Sequence, residues 1–388
     1  MSDNVLSFDA HRPGVLEFFA GVGLARMGLE RAGFRVRWAN DYEPSKHEMY
    51  LQQFGEEEPF VVGDVGNVRG QDLPLNTEVA WASSPCTDLS LAGNRRGLAG
   101  RESSAFYQFT RVLREMGEEK PGVAVLENVL GLATSHGGED LAAAVREFNE
   151  LGYSVDVLAL DARRWVPQSR PRLFLVGSQN PPEDCPSSSN EVRPDVLQTV
   201  FGDPSLRTHR AALPAPPMPL TVGMGSLMET IPNGDERWWD AERTAKFHMS
   251  LSPIQKQRVR ELRYAPRVSY RTAYRRTRNG VPVWEVRPDD ISGCLRTARG
   301  GSSKQAVVRL GHGRIQVRWM TGTEYARLMG AGTYDLSGVR DSQVHFAFGD
   351  AVAVPAVQWL ADNYLMPLVR NIPFVPSHPV QEELQHVQ

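Results

Sequence analysis

Six short, largely apolar runs separated by amphipathic stretches constrain the fold of this chain more than any other feature. They fall at residues 15–19, 36–39, 79–82, 123–126, 155–160 and 173–176. Between them lie helical patterns at 24–32, 103–116 and 141–151. Strands alternating with helices predict an α/β fold with a mainly parallel sheet and crossover helices. The runs show little polar alternation, as strands covered on both faces should. Helical patterns return at 321–329 and 352–364, and the last dozen residues read as a frayed tail.

The texture changes after Gly177. Residues 178–235 are rich in Pro, Ser, Asn and Gly, which predicts loops and irregular structure. A basic segment follows. Residues 236–318 hold 19 Lys/Arg against 7 Asp/Glu, whereas the rest of the chain holds 24 against 39. Such a segment on an acidic body is either a phosphate-binding surface or a solvated face. The expected layout is a large domain of 1–177 and 318–388, interrupted by a second domain at 178–317. No apolar run approaches membrane-spanning length, and the polar N-terminus lacks a secretory signal's apolar core, so a cytoplasmic location is expected. Cys86, Cys185 and Cys294 are far apart and never in a C-x-x-C pair, which speaks against a disulfide framework or a zinc site.

Four segments carry candidate chemistry. In VLEFFAGVGLARMGLERAG, Gly21 and Gly23 follow the first strand and precede a helix, where glycine permits a tight turn and close ligand approach. Arg26 stands where a dinucleotide fingerprint needs its third glycine. The second strand ends in Asn40-Asp41-Tyr42, suited to a ribose diol and an adenine face, and Asp64 could reach the adenine amine. The bland alternative is a glycine pair that only closes a βα turn. In WASSPCTDLSLAGNRRGLAG, Cys86 follows a strand and a proline, and Gly93, Gly97 and Gly100 could let the loop act as a lid. A thiol at this sheet edge is either a nucleophile or a small buried hydrophobe. VAVLENV ends a strand on Glu127, a proton donor if its surroundings are apolar and otherwise a cap or surface acid. RRWVPQSRPRLFLVG alternates Gln168, Arg170 and Arg172 before a strand, so the two guanidiniums could share a pocket or simply form a charged edge.

In that order, F-x-G-x-G, P-C, E-N-V and Q-x-R-x-R resemble the motif set of the DNA cytosine-5 methyltransferase family. RWMTGTEYARLMG and FGDAVAVPAVQWLA resemble its two later motifs. The resemblance covers about 13–177 and 318–365, and the intervening stretch falls where the family keeps its variable target-recognition domain. It implies a Rossmann-like class I methyltransferase sheet with a smaller, irregular, basic target-recognition domain. It also implies S-adenosylmethionine as cofactor, no metal, and double-stranded DNA as substrate. Carried over by position, Phe19, Gly21, Val22, Gly23, Asp41, Tyr42, Asp64, Val65, Pro85 and Asp350 would form the cofactor site. Cys86 would attack cytosine C6, Glu127 would hold N3 and the amine, and Arg172 would contact the base carbonyl. Arg170 stands with these catalytic residues, supporting the loop and site. Ser90, Arg95, Arg96, Gln168, Arg271, Arg275 and Arg276 would meet DNA.

Four positions depart from the family pattern: Glu17 for Asp, Thr87 for Gln, E-S-S-A before Phe106, and Asp350 for Asn. None removes a group that the chemistry requires. The family further implies a monomer, with a restriction enzyme or other defence protein as a candidate companion. Rival readings are a tRNA cytosine-5 methyltransferase, for which a shorter insert is expected, and a non-catalytic DNA-binding homologue, against which Cys86, Glu127 and Arg172 speak. A nicotinamide dehydrogenase lacks support without the third glycine.

Overall fold

A computed structural model describes residues 12–57, 59–84, 103–186, 191–278, 280–297 and 304–374. Seven strands form one sheet: β1 (Gly14–Phe18), β2 (Arg35–Asp41), β3 (Phe60–Val62), β4 (Val79–Ser83), β5 (Val123–Val129), β6 (Ser154–Asp161) and β7 (Pro171–Ser178). Their order is β3-β2-β1-β4-β5-β7-β6. The pairs among β1 to β5 are parallel, and β7 runs antiparallel to both β5 and β6. Chain order reverses between β1 and β4, and in open α/β sheets ligands bind beyond the carboxyl ends of the strands at such a switch point.

Alternation along each strand sorts the core into two layers. Leu16, Phe18, Ala80, Ala82, Ala124 and Leu126 face α3 (Ser103–Met116) and α4 (Glu139–Glu150). There Phe18 meets Phe109 edge-on at 5.0 Å and Trp38 at 4.9 Å. Val15, Val79, Trp81, Val123 and Val125 face the other way, with Leu29 of α1 (Leu24–Arg31) and Tyr50 of α2 (Pro44–Phe54). Fully burying one such aliphatic or aromatic side chain contributes about 1.5–3 kcal/mol.

The Pro- and Ser-rich stretch belongs in part to this body. Leu197 and Val200 of α5 (Asp195–Phe201), with Leu206, join the first layer, and Val192, Ala211 and Leu213 join the second. Arg193 pairs with Asp156 of β6 at 2.5 Å, both side chains at most 1% exposed, and Ala211 N and the Tyr364 hydroxyl also donate to Asp156. The expected boundary at 177/178 therefore cuts through the main core, because enough apolar residues lie hidden among the prolines and serines.

Beyond it, α6 (Ala241–Ser250) and α7 (Pro253–Arg263) precede four antiparallel strands: β8 (Ser269–Arg278), β9 (Val281–Val286), β10 (Ala306–Gly311) and β11 (Arg314–Trp319), ordered β11-β10-β8-β9. Instead of an irregular domain, this region has a sheet with its own core of Phe247, Val259, Trp284, Val308 and Val317. The chain returns to the main body through α8 (Gly322–Leu328), α9 (Asp341–Gly349), α10 (Val354–Leu360) and α11 (Met366–Arg370). The stretch Asp341–Arg370 is apolar enough by length and composition to cross a membrane, yet 72% of its most apolar window is buried inside the protein. Its helix is interrupted at 350–353.

Candidate active site and cofactor pocket

Past β1 the backbone turns sharply. Phe19 sits at φ +57, Gly21 at +57 and Gly23 at +74. At Gly23 a Cβ would come within 2.3 Å of the Phe54 ring, so both the angle and the space require glycine. The non-glycine Phe19 carries real strain, of the kind that collects at ligand sites. Gly21 N donates to one Asp41 oxygen at 2.8 Å and Glu43 N to the other at 2.9 Å, fixing the carboxylate at the end of β2. Burial pushes the Asp41 carboxyl above its usual range, against the pull of Lys46 and of these two N–H groups. Tyr42 beside it is 57% exposed, an open aromatic face.

Register places Val62 of β3 opposite Asp41, so Asp64 emerges two residues beyond this edge. Asp64 accepts from Gly66 N at 2.7 Å and starts a short helix at the buried Val65. Val22 is fully buried in a third core with Leu24, Met27 and Tyr325, so its side chain faces away from the turn. A rigid carboxylate, an exposed ring and a glycine turn together fit an adenosyl cofactor: Asp41 for the diol, Tyr42 for the purine face.

The second half-site lies across the switch point. Glu127 of β5 is 4% exposed and paired in register with Ser83, the last residue of β4. Arg172 Nε stands 3.0 Å from Glu127 Oε1. Burial raises the Glu127 carboxyl, although Arg172, Arg170 and a hydrogen bond from Ser83 pull it down. Pro85 and Cys86 follow Ser84 in the chain but, like Ser90, Arg95 and Arg96, lie outside the described residues.

Arg170 is 1% exposed. Its guanidinium donates to Leu295 O at 2.7 Å, Gly349 O at 3.0 Å, Cys294 Sγ at 3.2 Å and Ala351 O. With that many acceptors it acts as a strut between two distant loops, and its place among the catalytic residues is corrected to a positioning role. Burial, with Arg172 alongside, pulls its pKa down to about 10. Gln168 is also corrected: it is fully buried, donates to Leu328 O at 2.7 Å and accepts from Leu295 N at 3.1 Å, so it cannot meet DNA. Arg271 is only 9% exposed and donates to Tyr270 O, which removes it too from a contact surface. Arg275 and Arg276 are exposed; Arg275 lies over the Trp284 ring at 5.3 Å, and Arg276 shares Glu285 with Arg278.

Sequence reasoning missed Cys294 and Lys46. Burial would raise the Cys294 thiol, but the guanidiniums of Arg170 and Arg172 outweigh it and hold the thiol below its usual range. Lys46, on the first turn of α2, is 7% exposed, and its Nζ pairs with Asp350 at 2.9 Å. Burial disfavours its charge, yet Asp350 and Asp41 prevail and raise its pKa. Asp350 therefore does border the turn, through this lysine.

A model of the C-5 cytosine-specific DNA methylase family matches residues 14–365. The Type II methyltransferase M.Bsp6I of Bacillus sp. (strain RFL6) is 25% identical over 354 residues, covering 90% of this chain and 97% of that protein. M.HhaI of Haemophilus parahaemolyticus is 30% identical over 166 residues, covering 42% of this chain and 49% of that protein. Among solved structures, the S. pombe Dnmt2 methyltransferase superposes with a TM-score of 0.62 at 18% identity, over 92% of this chain and 99% of that one. The Entamoeba histolytica methyltransferase EhMeth superposes with a TM-score of 0.55 at 14% identity, over 93% and 98%. With the family match running from the first strand to the last core helices, this chain belongs to the C-5 cytosine-specific DNA methylases.

Proposed function

We propose that this chain methylates C5 of a cytosine flipped out of double-stranded DNA, using Cys86 as nucleophile and S-adenosylmethionine as methyl donor. The observation that carries this reading is the buried Glu127, held by Arg172 at 3.0 Å and paired with Ser83, three residues before Cys86 in sequence. Bound S-adenosylmethionine supplies an electrophilic methyl group. Asp41 would hold the ribose diol, Tyr42 the purine face, with Phe19, Gly21 and Gly23 shaping the turn beneath.

Cytosine C5 is a weak nucleophile. The Cys86 thiolate adds to C6 while Glu127 delivers its proton to N3, which gives the ring enamine character and lets C5 bond to the methyl group. Transfer of the C5 proton to a water molecule and departure of the thiolate then restore the aromatic ring, and N3 returns its proton to Glu127. Burial shifts the Glu127 carboxyl toward the protonated form that a general acid requires. Arg172 orients Glu127 and would contact the base carbonyl. The base must leave the duplex to reach these groups. Exposed arginines of the β8–β9 hairpin suit phosphate contact. Kinship with Type II methyltransferases supports a role beside a restriction enzyme, and a cytoplasmic monomer is the working state we adopt.

The test is bisulfite sequencing of DNA from a methylation-free host expressing wild type, Cys86→Ser or Glu127→Gln. Wild type should protect one recurrent cytosine context. Cys86→Ser should protect nothing, and purified Glu127→Gln should turn over about 10²–10⁴-fold more slowly. Turnover by Cys86→Ser would overturn the covalent route. No protection from a wild-type protein that binds the cofactor would move the substrate to RNA.

A further inference from the structure

The Lys46–Asp350 pair has a place and a polarity that the mechanism above does not use. Lys46 Nζ is almost wholly buried, whereas Asp350 is 47% exposed, so the acid forms the open side of the pair. The lysine stem runs along the glycine turn: a Cβ added at Gly21 would lie 3.9 Å from Lys46 Cδ. Phe346 backs the ammonium, its ring centre 5.6 Å away. Asp41, the group that would hold the ribose, is a second carboxylate whose charge favours the Lys46 ammonium. Asp350 itself stands between two carbonyls, Gly349 O and Ala351 O, that Arg170 holds by hydrogen bonds.

A buried ammonium whose main partner is a half-exposed carboxylate is a site where a ligand carboxylate can replace the protein's own. Exchanging one ion pair for another keeps the buried charge compensated, which simple removal of a partner would not. The displaced Asp350 is then free to accept from an ammonium. An α-amino acid carries both complementary groups on one carbon. The two residues also depend on each other: with a neutral amide at 350, Lys46 would keep only Asp41 as a counter-charge.

Building on the cofactor reading, we propose that Lys46 and Asp350 form a charged reader for the amino-acid end of the cofactor, Lys46 taking its carboxylate and Asp350 its ammonium. Lys46 thereby becomes the specificity residue that separates amino-acid-bearing adenosyl ligands from those without that end.

Calorimetric titration of the purified protein tests this with two probes, S-adenosylhomocysteine and methylthioadenosine, which lacks the amino-acid portion. Wild type should bind the first more tightly by about 10- to 100-fold, the range of charge-assisted contacts. Lys46→Ala should bring the two affinities to within about threefold by weakening only S-adenosylhomocysteine. Lys46→Arg should restore much of the gap. Lys46→Gln serves if the alanine variant fails to fold. Equal weakening of both probes, or no change in either, would overturn the proposal and leave Lys46 a packing residue. If wild type binds neither probe, the cofactor reading itself fails and takes the proposal with it.

Discussion

Arginine does opposite jobs in the core of the main body and in the β8–β9 hairpin. In the main body, Arg170 and Arg193 are each 1% exposed, and their terminal guanidinium nitrogens donate to carbonyls, a thiol or a carboxylate. In the β8–β9 hairpin, Arg275, Arg276 and Arg278 are exposed, and Glu285 serves two of them. A charge count along the sequence cannot separate these uses. What separates them is whether enough acceptors converge on a buried guanidinium to offset its lost hydration. Arg170 and Arg193 serve as structural ties, whereas the β8–β9 hairpin presents its arginines to solvent.

Three experiments can break or sharpen that contrast. The largest effect should come from Arg193→Ala, which strands Asp156 in the core beside Tyr364 and Ala211; stability measured by denaturant unfolding should fall by about 3–5 kcal/mol. A loss no larger than that of a surface change would mean that the buried ties of the body are dispensable.

Next comes Glu17, a buried acid on β1 that accepts from Arg26 N and the Tyr50 hydroxyl. Burial pushes its pKa up to about 8 despite Arg26. The folded state therefore binds this proton more tightly than the unfolded chain does. Its contribution is complete below the ordinary value of 4.5 and is lost as pH rises through about 8. Glu17→Gln should flatten the stability profile across that window, by a few kcal/mol at its alkaline end. An unchanged profile would show that Arg26 keeps Glu17 ionised.

The smallest change in stability, within about 0.5 kcal/mol, should follow Arg275→Ala with Arg276→Ala. DNA affinity should nevertheless lose salt dependence, the log–log slope shrinking by about one for each phosphate contact removed. A fall in stability with an unchanged slope would place these arginines with the ties instead.

Much of the main sheet was legible because its strands are buried on both faces and their side chains leave a dense apolar record. The direction of β7 was not, since an apolar run looks alike read either way. Asp41, Glu127 and Arg172 were legible as polar residues near the ends or starts of apolar strands, and the structure does bring Glu127 and Arg172 together. Gln168 and Arg271 were misread because alternation says which residues share a face, not whether solvent reaches it. Lys46 escaped notice because its partner lies 304 residues away, and no local pattern spans that interval. The packing of 192–213 was hidden by loop-like composition around a few well-placed apolar residues.

Arg170 also bears on how such an enzyme could change its target. Its acceptors Leu295, Gly349 and Ala351 come from either side of β10 and β11, so the loop between α9 and α10 is tied to the connection between β9 and β10 inside the second region. Since β8 to β11 share one sheet and one core, a module exchanged between relatives would have to begin after Leu213, run through β11 and bring its own counterpart of Leu295 to meet the arginine. A splice point at the compositional edge near 178 would instead carry off Val192, Leu197, Val200 and Ala211 from the main core.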